Sequence, residues 1–81
     1  MIIIKHRVNT INKIINTPKK YGVEIDLRSN FKTIYLNHDP FKKGTKFSQW
    51  IKYFKHKLIV LNVKEKGLEK KIINILKKNK I

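Results

Sequence analysis

The 81-residue sequence holds no cysteine, only three glycines and two prolines, and five carboxylates against twenty Lys and Arg. Without cysteine there are no disulfides, zinc–thiolate sites or thiol nucleophiles, which fits a reducing, cytoplasmic setting. Long apolar runs are missing as well. Met1 to Ile4 and Leu58 to Leu61 are four residues each, far below the roughly 20 needed to cross a bilayer. No secretory signal is read at the N-terminus. The length allows one domain, residues 1–81, and a chain this short buries only about 60% of its unfolded surface.

A net charge of +15 invites binding to nucleic acid or another polyanion through counterion release. A second cause is at hand. Lys, Ile and Asn supply 40 of the 81 residues, and all three are encoded by A/T-rich codons. The basic residues are scattered, adjacent only at Lys19-Lys20, Lys42-Lys43, Lys70-Lys71 and Lys77-Lys78, with no RNP-like or Arg-rich motif.

Because acid is scarce, its placement carries information. Three of the five carboxylates, Glu24, Asp26 and Asp39, fall between Val23 and Pro40. In an extended strand Glu24 and Asp26 share one face while Val23, Ile25 and Leu27 share the other. Two neighbouring carboxylates repel unless a cation lies between them, and their hard oxygens suit Mg²⁺ or Ca²⁺. On this pair alone, a solvated outer face of an edge strand is the better explanation of the pattern.

The remaining elements follow from periodicity. Ile2 to His6 is β-branched and extended, with Ile2, Ile4 and His6 on one face. Asn9 or Thr10 caps a helix with the stripe Ile11, Ile14, Ile15, which Thr17-Pro18 interrupts, and Pro18 begins a short turn. Gly22 leads into the acidic strand. Arg28-Ser29-Asn30 carries turn chemistry, and Thr33 to Asn37 is a second extended run delivering His38 and Asp39. Phe47, Trp50, Ile51 and Phe54 mark an amphipathic helix capped by Thr45 or Ser48, with its aromatics in the core. Leu58 to Lys64 is apolar enough for a parallel strand buried on both faces. Gly67 precedes a last helix striped by Leu68, Ile72, Ile75 and Leu76. The order β-α-β-β-α-β-α predicts an α/β domain with a parallel main sheet, right-handed crossovers and a hairpin-like excursion after the second strand.

Each of the three main strands begins apolar and turns polar near its C-terminal end: His6 with Arg7, Glu24 with Asp26, Asn62 with Lys64. Ligand crevices of parallel α/β proteins lie at that edge. His6 taken alone is better read as a strand-end histidine without a task, and His56, on a lysine-rich helix end, receives none.

Together, His6-Arg7, the Asn9-Thr10 pair, Gly22-Val-Glu-Ile-Asp26, His38-Asp39-Pro40 and Asn62-Val63-Lys64 resemble the glycerophosphodiester phosphodiesterases. These belong to the phosphatidylinositol-phospholipase-C-like phosphodiesterases built on a TIM barrel. The likeness runs from residue 2 to about 78. It implies that His6 and His38 form an acid/base pair, that Arg7 and Lys64 hold phosphate, and that Glu24 and Asp26 hold a divalent cation, Mg²⁺ or Ca²⁺. Asn62 stands where the family has a third ligating Glu, which implies weaker metal affinity, and Val8 stands where the family has Gly. A full barrel needs about 250 residues, so the expectation is a partial (β/α) barrel of about three units. Such a chain is the N-terminal segment of a longer phosphodiesterase or a truncated descendant, with low or absent turnover on a small phosphodiester. Its open strand edge at Leu58 to Lys64 invites a second copy or a complementing barrel segment. Two other readings stand beside this one: a small basic module for nucleic acid or an acidic partner, and a self-associating remnant without chemistry.

Overall fold

Val23, Ile25 and Leu27 have no exposed surface, and the strand that carries them is the one on which three of the four others pair. The computed structural model describes residues 1–30, 33–40 and 42–81. In order, it forms β1 (Ile4–Lys5), α1 (Ile11–Asn16), β2 (Gly22–Asn30), β3 (Thr33–Leu36) and β4 (Thr45–Lys46). Then follow α2 (Phe47–Trp50), one 3-10 turn (Ile51–Tyr53), β5 (Leu58–Val63) and α3 (Glu69–Lys78). The result is a small α/β domain with a mixed five-stranded sheet and three α-helices among the described residues.

β2 takes partners on both edges. β1 runs parallel to it through Ile4 opposite Gly22 and Lys5 opposite Val23. β5 runs parallel from Leu58 opposite Gly22 to Val63 opposite Leu27, and the ladder continues with the Lys64 N–H donating to the Leu27 carbonyl at 2.9 Å. Gly22 and Val23 pair with both strands, so β1 and β5 lie on opposite edges of β2. The C-terminal half of β2 folds back as a hairpin, Leu27 to Asn30 against Thr33 to Leu36, and β4 extends it. The parallel trio and the hairpin excursion are those expected from the order of elements. Gly44 closes the hairpin side, because a Cβ there would stand 2.0 Å from the Leu36 carbonyl oxygen.

The apolar face of β2 joins Val8, Ile14, Phe47, Trp50, Ile51, Leu68 and Ile72 in one core. Trp50 is its largest fully buried side chain, flanked by Phe47 and Phe54 with ring centroids 6.2 Å away on each side. α1 starts where Thr10 Oγ1 accepts the Lys13 N–H at 3.1 Å. Of the two caps the sequence offers, Thr10 does the capping, which leaves the Asn9 side chain free for another partner. A single turn follows Pro18, closed by the Tyr21 N–H on the Pro18 carbonyl at 3.0 Å.

Four local expectations change. Arg28-Ser29-Asn30 is strand and not turn, since long-range pairing with β3 supplies the hydrogen bonds that a turn would otherwise make locally. β1 is two residues, not five, and Ile2, Ile3 and Ile4 are exposed because β1 pairs only with β2 among the described residues. β5 is not buried on both faces: Leu58 and Val60 are exposed, as β5 likewise has β2 as its one strand partner among the described residues. The aromatic helix shortens to α2 and a 3-10 turn, and neither Thr45 nor Ser48 caps it. Its N-cap is Lys46, without a side-chain bond, since Thr45 is held in β4. Among the described residues no helix is long and apolar enough to cross a membrane.

Trp50→Ala leaves a large void in the core of the described residues. We expect the variant to lose about 3–5 kcal/mol, most of the margin of a small domain, as read by urea unfolding followed by far-UV circular dichroism. An unchanged midpoint would contradict the central place given to Trp50.

Candidate functional site at the tips of the parallel strands

The period-two alternation that buries Val23, Ile25 and Leu27 turns Glu24, Asp26 and Arg28 to the opposite face of β2. Asp26 is nonetheless only 1% exposed. Its cover is polar. Asn9, in the turn between β1 and α1, makes a reciprocal pair with it: Asn9 Nδ2 donates to Asp26 Oδ2 at 2.9 Å, and the Asp26 N–H donates to Asn9 Oδ1 at 2.9 Å. Lys64, just past β5, brings its ammonium 3.6 Å from Asp26 Oδ1. His38, past β3, places Nδ1 3.8 Å from Asp26 Oδ2. One carboxylate thus gathers groups from three other segments.

Glu24 holds the other imidazole. His6 Nδ1 lies 3.8 Å from Glu24 Oε2, and the Arg7 N–H donates to Glu24 Oε1 at 2.9 Å. Arg7 takes φ 55°, in the left-handed region that a side chain makes unfavourable, at a cost of roughly 1–2 kcal/mol. The Glu24 carboxylate and the Val8 N–H bonded to the Glu24 carbonyl at 2.9 Å offset that strain. His6 is 75% exposed and His38 42%, yet the Nδ1 of His38 is itself buried without a hydrogen-bond partner. At 3.8 Å each ring meets its carboxylate by charge rather than by a hydrogen bond, with Nδ1 the nearer nitrogen.

The His38 loop is pinned by Arg28, which donates from Nε to the Asn37 carbonyl at 3.1 Å and from its terminal nitrogen to the His38 carbonyl at 2.8 Å. The Asn37 N–H also reaches the Asp26 carbonyl at 3.2 Å. Asp39 donates its N–H to Asn37 Oδ1 and pairs with Lys42, a turn role in keeping with its place before Pro40. Beside His38 lies a cleft of about 530 Å³ lined by Arg7, Asn9, Lys13 and Lys43 among others, with no carboxylate in its wall. A second cleft of about 740 Å³, on the hairpin side between Arg28, Tyr35, Lys46 and Glu65, holds neither imidazole. The first suits an anion; the second lies apart from the strand tips.

His6, His38, Lys64 and the Arg7 N–H therefore each contact Glu24 or Asp26. Asn62 stands opposite Asp26 in the β2–β5 register, and Arg7 lines the cleft beside His38. Sequence reasoning missed the part played by Asn9 and Arg28. A capping pair Asn-Thr with only one cap to fill was the available sign for Asn9; Arg28 gave none. His56, given no task, bonds the Thr17 carbonyl through Nε2 at 2.8 Å and stacks on Phe54, tying the 3-10 turn to the end of α1.

The surroundings of Asp26 are unfavourable to a divalent ion. Among the described residues no group of three or more His, Cys, Asp or Glu side chains is placed to hold a metal, although Mg²⁺ keeps several waters and can be held by one or two carboxylates. Asp26 already faces an amide, an imidazole and the Lys64 ammonium, whose charge repels a second cation at the same carboxylate. The expected Mg²⁺ or Ca²⁺ at Glu24, Asp26 and Asn62 consequently enters no step below. No family model matches this chain, and no curated protein or solved structure is significantly similar to it.

Two expected outcomes follow from these contacts. Asn9→Ala strips a buried acid of both its amide bonds, and should lower unfolding free energy by about 1–3 kcal/mol; thermal stability equal to that of the parent would contradict the pairing. Glu65 accepts from the Ser29 hydroxyl at 2.7 Å and the Ser29 N–H at 3.1 Å. These bonds, with the Arg28 charge, hold its carboxyl below the usual range. A depressed folded pKa gives stability that is present above the unfolded value and lost as pH falls through the folded one. Glu65→Gln should therefore weaken the fold at neutral pH, with the difference from the parent closing in acid. A pH-independent difference in denaturation midpoint would refute it.

Proposed function

We propose that this chain binds a phosphodiester at the C-terminal tips of β1, β2 and β5 and assists its hydrolysis, in the manner of the glycerophosphodiester phosphodiesterases it resembles. The observation that carries the reading is the pairing of each imidazole with its own acid on β2, His6 with Glu24 and His38 with Asp26. A carboxylate near Nδ1 stabilises the imidazolium that forms when Nε2 takes a proton. With two such pairs, one ring removes the proton from the attacking oxygen and the other protonates the departing alkoxide. Arg7, which lines a cleft with Lys13 and Lys43, supports the phosphoryl oxygens through the fork of its guanidinium. Lys64 adds positive charge from the β5 side.

On the same reading β1, β2 and β5 are an arc of a (β/α) barrel, with the acid-bearing face as its interior. Exposed Ile2 and Ile3 just before β1, and Leu58 and Val60 on β5, support it, since these side chains and the outer strand edges suit further strands from more chain or from a second copy. An arc leaves the site open to water, so turnover is slow.

The test is hydrolysis of a glycerophosphodiester followed by ³¹P resonance. We expect slow turnover by the parent, a fall of about a hundredfold in kcat for His6→Ala or His38→Ala, and a rise chiefly in KM for Arg7→Met. Turnover no different between the parent and both histidine variants would overturn the reading.

A further inference from the structure

We infer that the Lys64 ammonium is the resident cation of this site, occupying at Asp26 the electrostatic position that a divalent ion would otherwise fill, so that anion binding here is metal-independent. This rests on the phosphodiester reading for its ligand, but its geometry stands by itself.

Lys64 comes to Asp26 by register. Asn62 lies opposite Asp26 across the β2–β5 ladder, and the side chain two residues on returns to the same face. The Lys64 N–H bonds the Leu27 carbonyl at 2.9 Å, so the backbone is fixed where the side chain leaves it. Its ammonium then stands 3.6 Å from Asp26 Oδ1, while the side chain stays one-quarter exposed. Asp26 is sealed on its other oxygen by the Asn9 amide at 2.9 Å. A buried carboxylate without a counter-charge is unfavourable, and here the counter-charge is covalently part of the chain. Lys64 offers three donors and Asp26 uses one direction, so the remaining hydrogens point to whatever anion enters beside it. Asn62, neutral in the same register row, adds no acid that would draw a metal in.

Two titrations by calorimetry separate this inference from the functional reading. In the first, Mg²⁺ and then Ca²⁺ alone are added to the metal-free parent, to Lys64→Gln and to Lys64→Arg. We expect no saturable binding to the parent or to Lys64→Arg. Lys64→Gln, with a carboxylate pair no longer neutralised, should gain affinity by about tenfold or more. Saturable binding of either ion to the parent, lost in Glu24→Gln, would overturn the inference. So would a Lys64→Gln variant, shown folded by its circular dichroism, that binds no ion better than the parent does. In the second, inorganic phosphate is added with chelator and again with excess Mg²⁺. Equal affinity in both for the parent, retention in Lys64→Arg and loss of about tenfold in Lys64→Gln support a resident ammonium. Affinity that appears only with Mg²⁺ refutes it. Phosphate that binds the parent under neither condition sinks the phosphodiester reading instead, and the cation titration then decides the inference.

Discussion

The Asp26 carboxylate, buried on the polar face of β2 and locked in a reciprocal pair with Asn9, is the contact on which the arrangement of this domain turns. A charge so well shielded from water in an 81-residue chain is costly unless every oxygen has a partner. Each partner comes from a different place: Asn9 from the turn entering α1, His38 from the loop after β3, Lys64 from the end of β5. Satisfying one acid therefore sets the positions of three connections at once. Replacing the acid with an apolar residue would remove the penalty, and with it the reason those connections meet.

The parallel pairing of β1 and β5 with β2 brings their C-terminal ends to one edge, and the chain uses that edge for nearly all its paired charge. Glu24 sits two residues before Asp26 on the same face, so a second imidazole is recruited there without further machinery. The left-handed backbone at Arg7 is the local cost of turning from β1 back across β2, and it is held by the acid that also holds His6. Strain kept in place by side chains at a strand tip is typical of sites built to bind.

Much of this was legible in the residues. The alternation Val-Glu-Ile-Asp-Leu announces a strand with two unlike faces, and the structure buries the apolar one completely. The parallel pairing of the main strands and the hairpin excursion followed from chain order, and the polar strand ends could be read from the residues themselves. What escaped was what depends on distant partners. Arg28-Ser29-Asn30 has turn residues but strand pairing, because β3 and the Glu65 carboxylate take up its hydrogen bonds. Leu58 and Val60 look like core and lie exposed, because an apolar run carries no record of which neighbouring strand is present. Asn9 has the local chemistry of a helix cap, and only the approach of β2, seventeen residues on, gives it a different use.

Phosphodiester hydrolysis at these strand tips requires that His6 and His38 serve one anion although they belong to separate acid pairs. The most direct measurement is the ¹⁵N spectrum of histidine-labelled protein during addition of glycerol 3-phosphate. The prediction is that the ring signals of His6 and His38 move together with a single affinity, while those of His56, bonded to the Thr17 carbonyl, stay still. Movement of only one of the two rings, or of neither, would contradict a shared site.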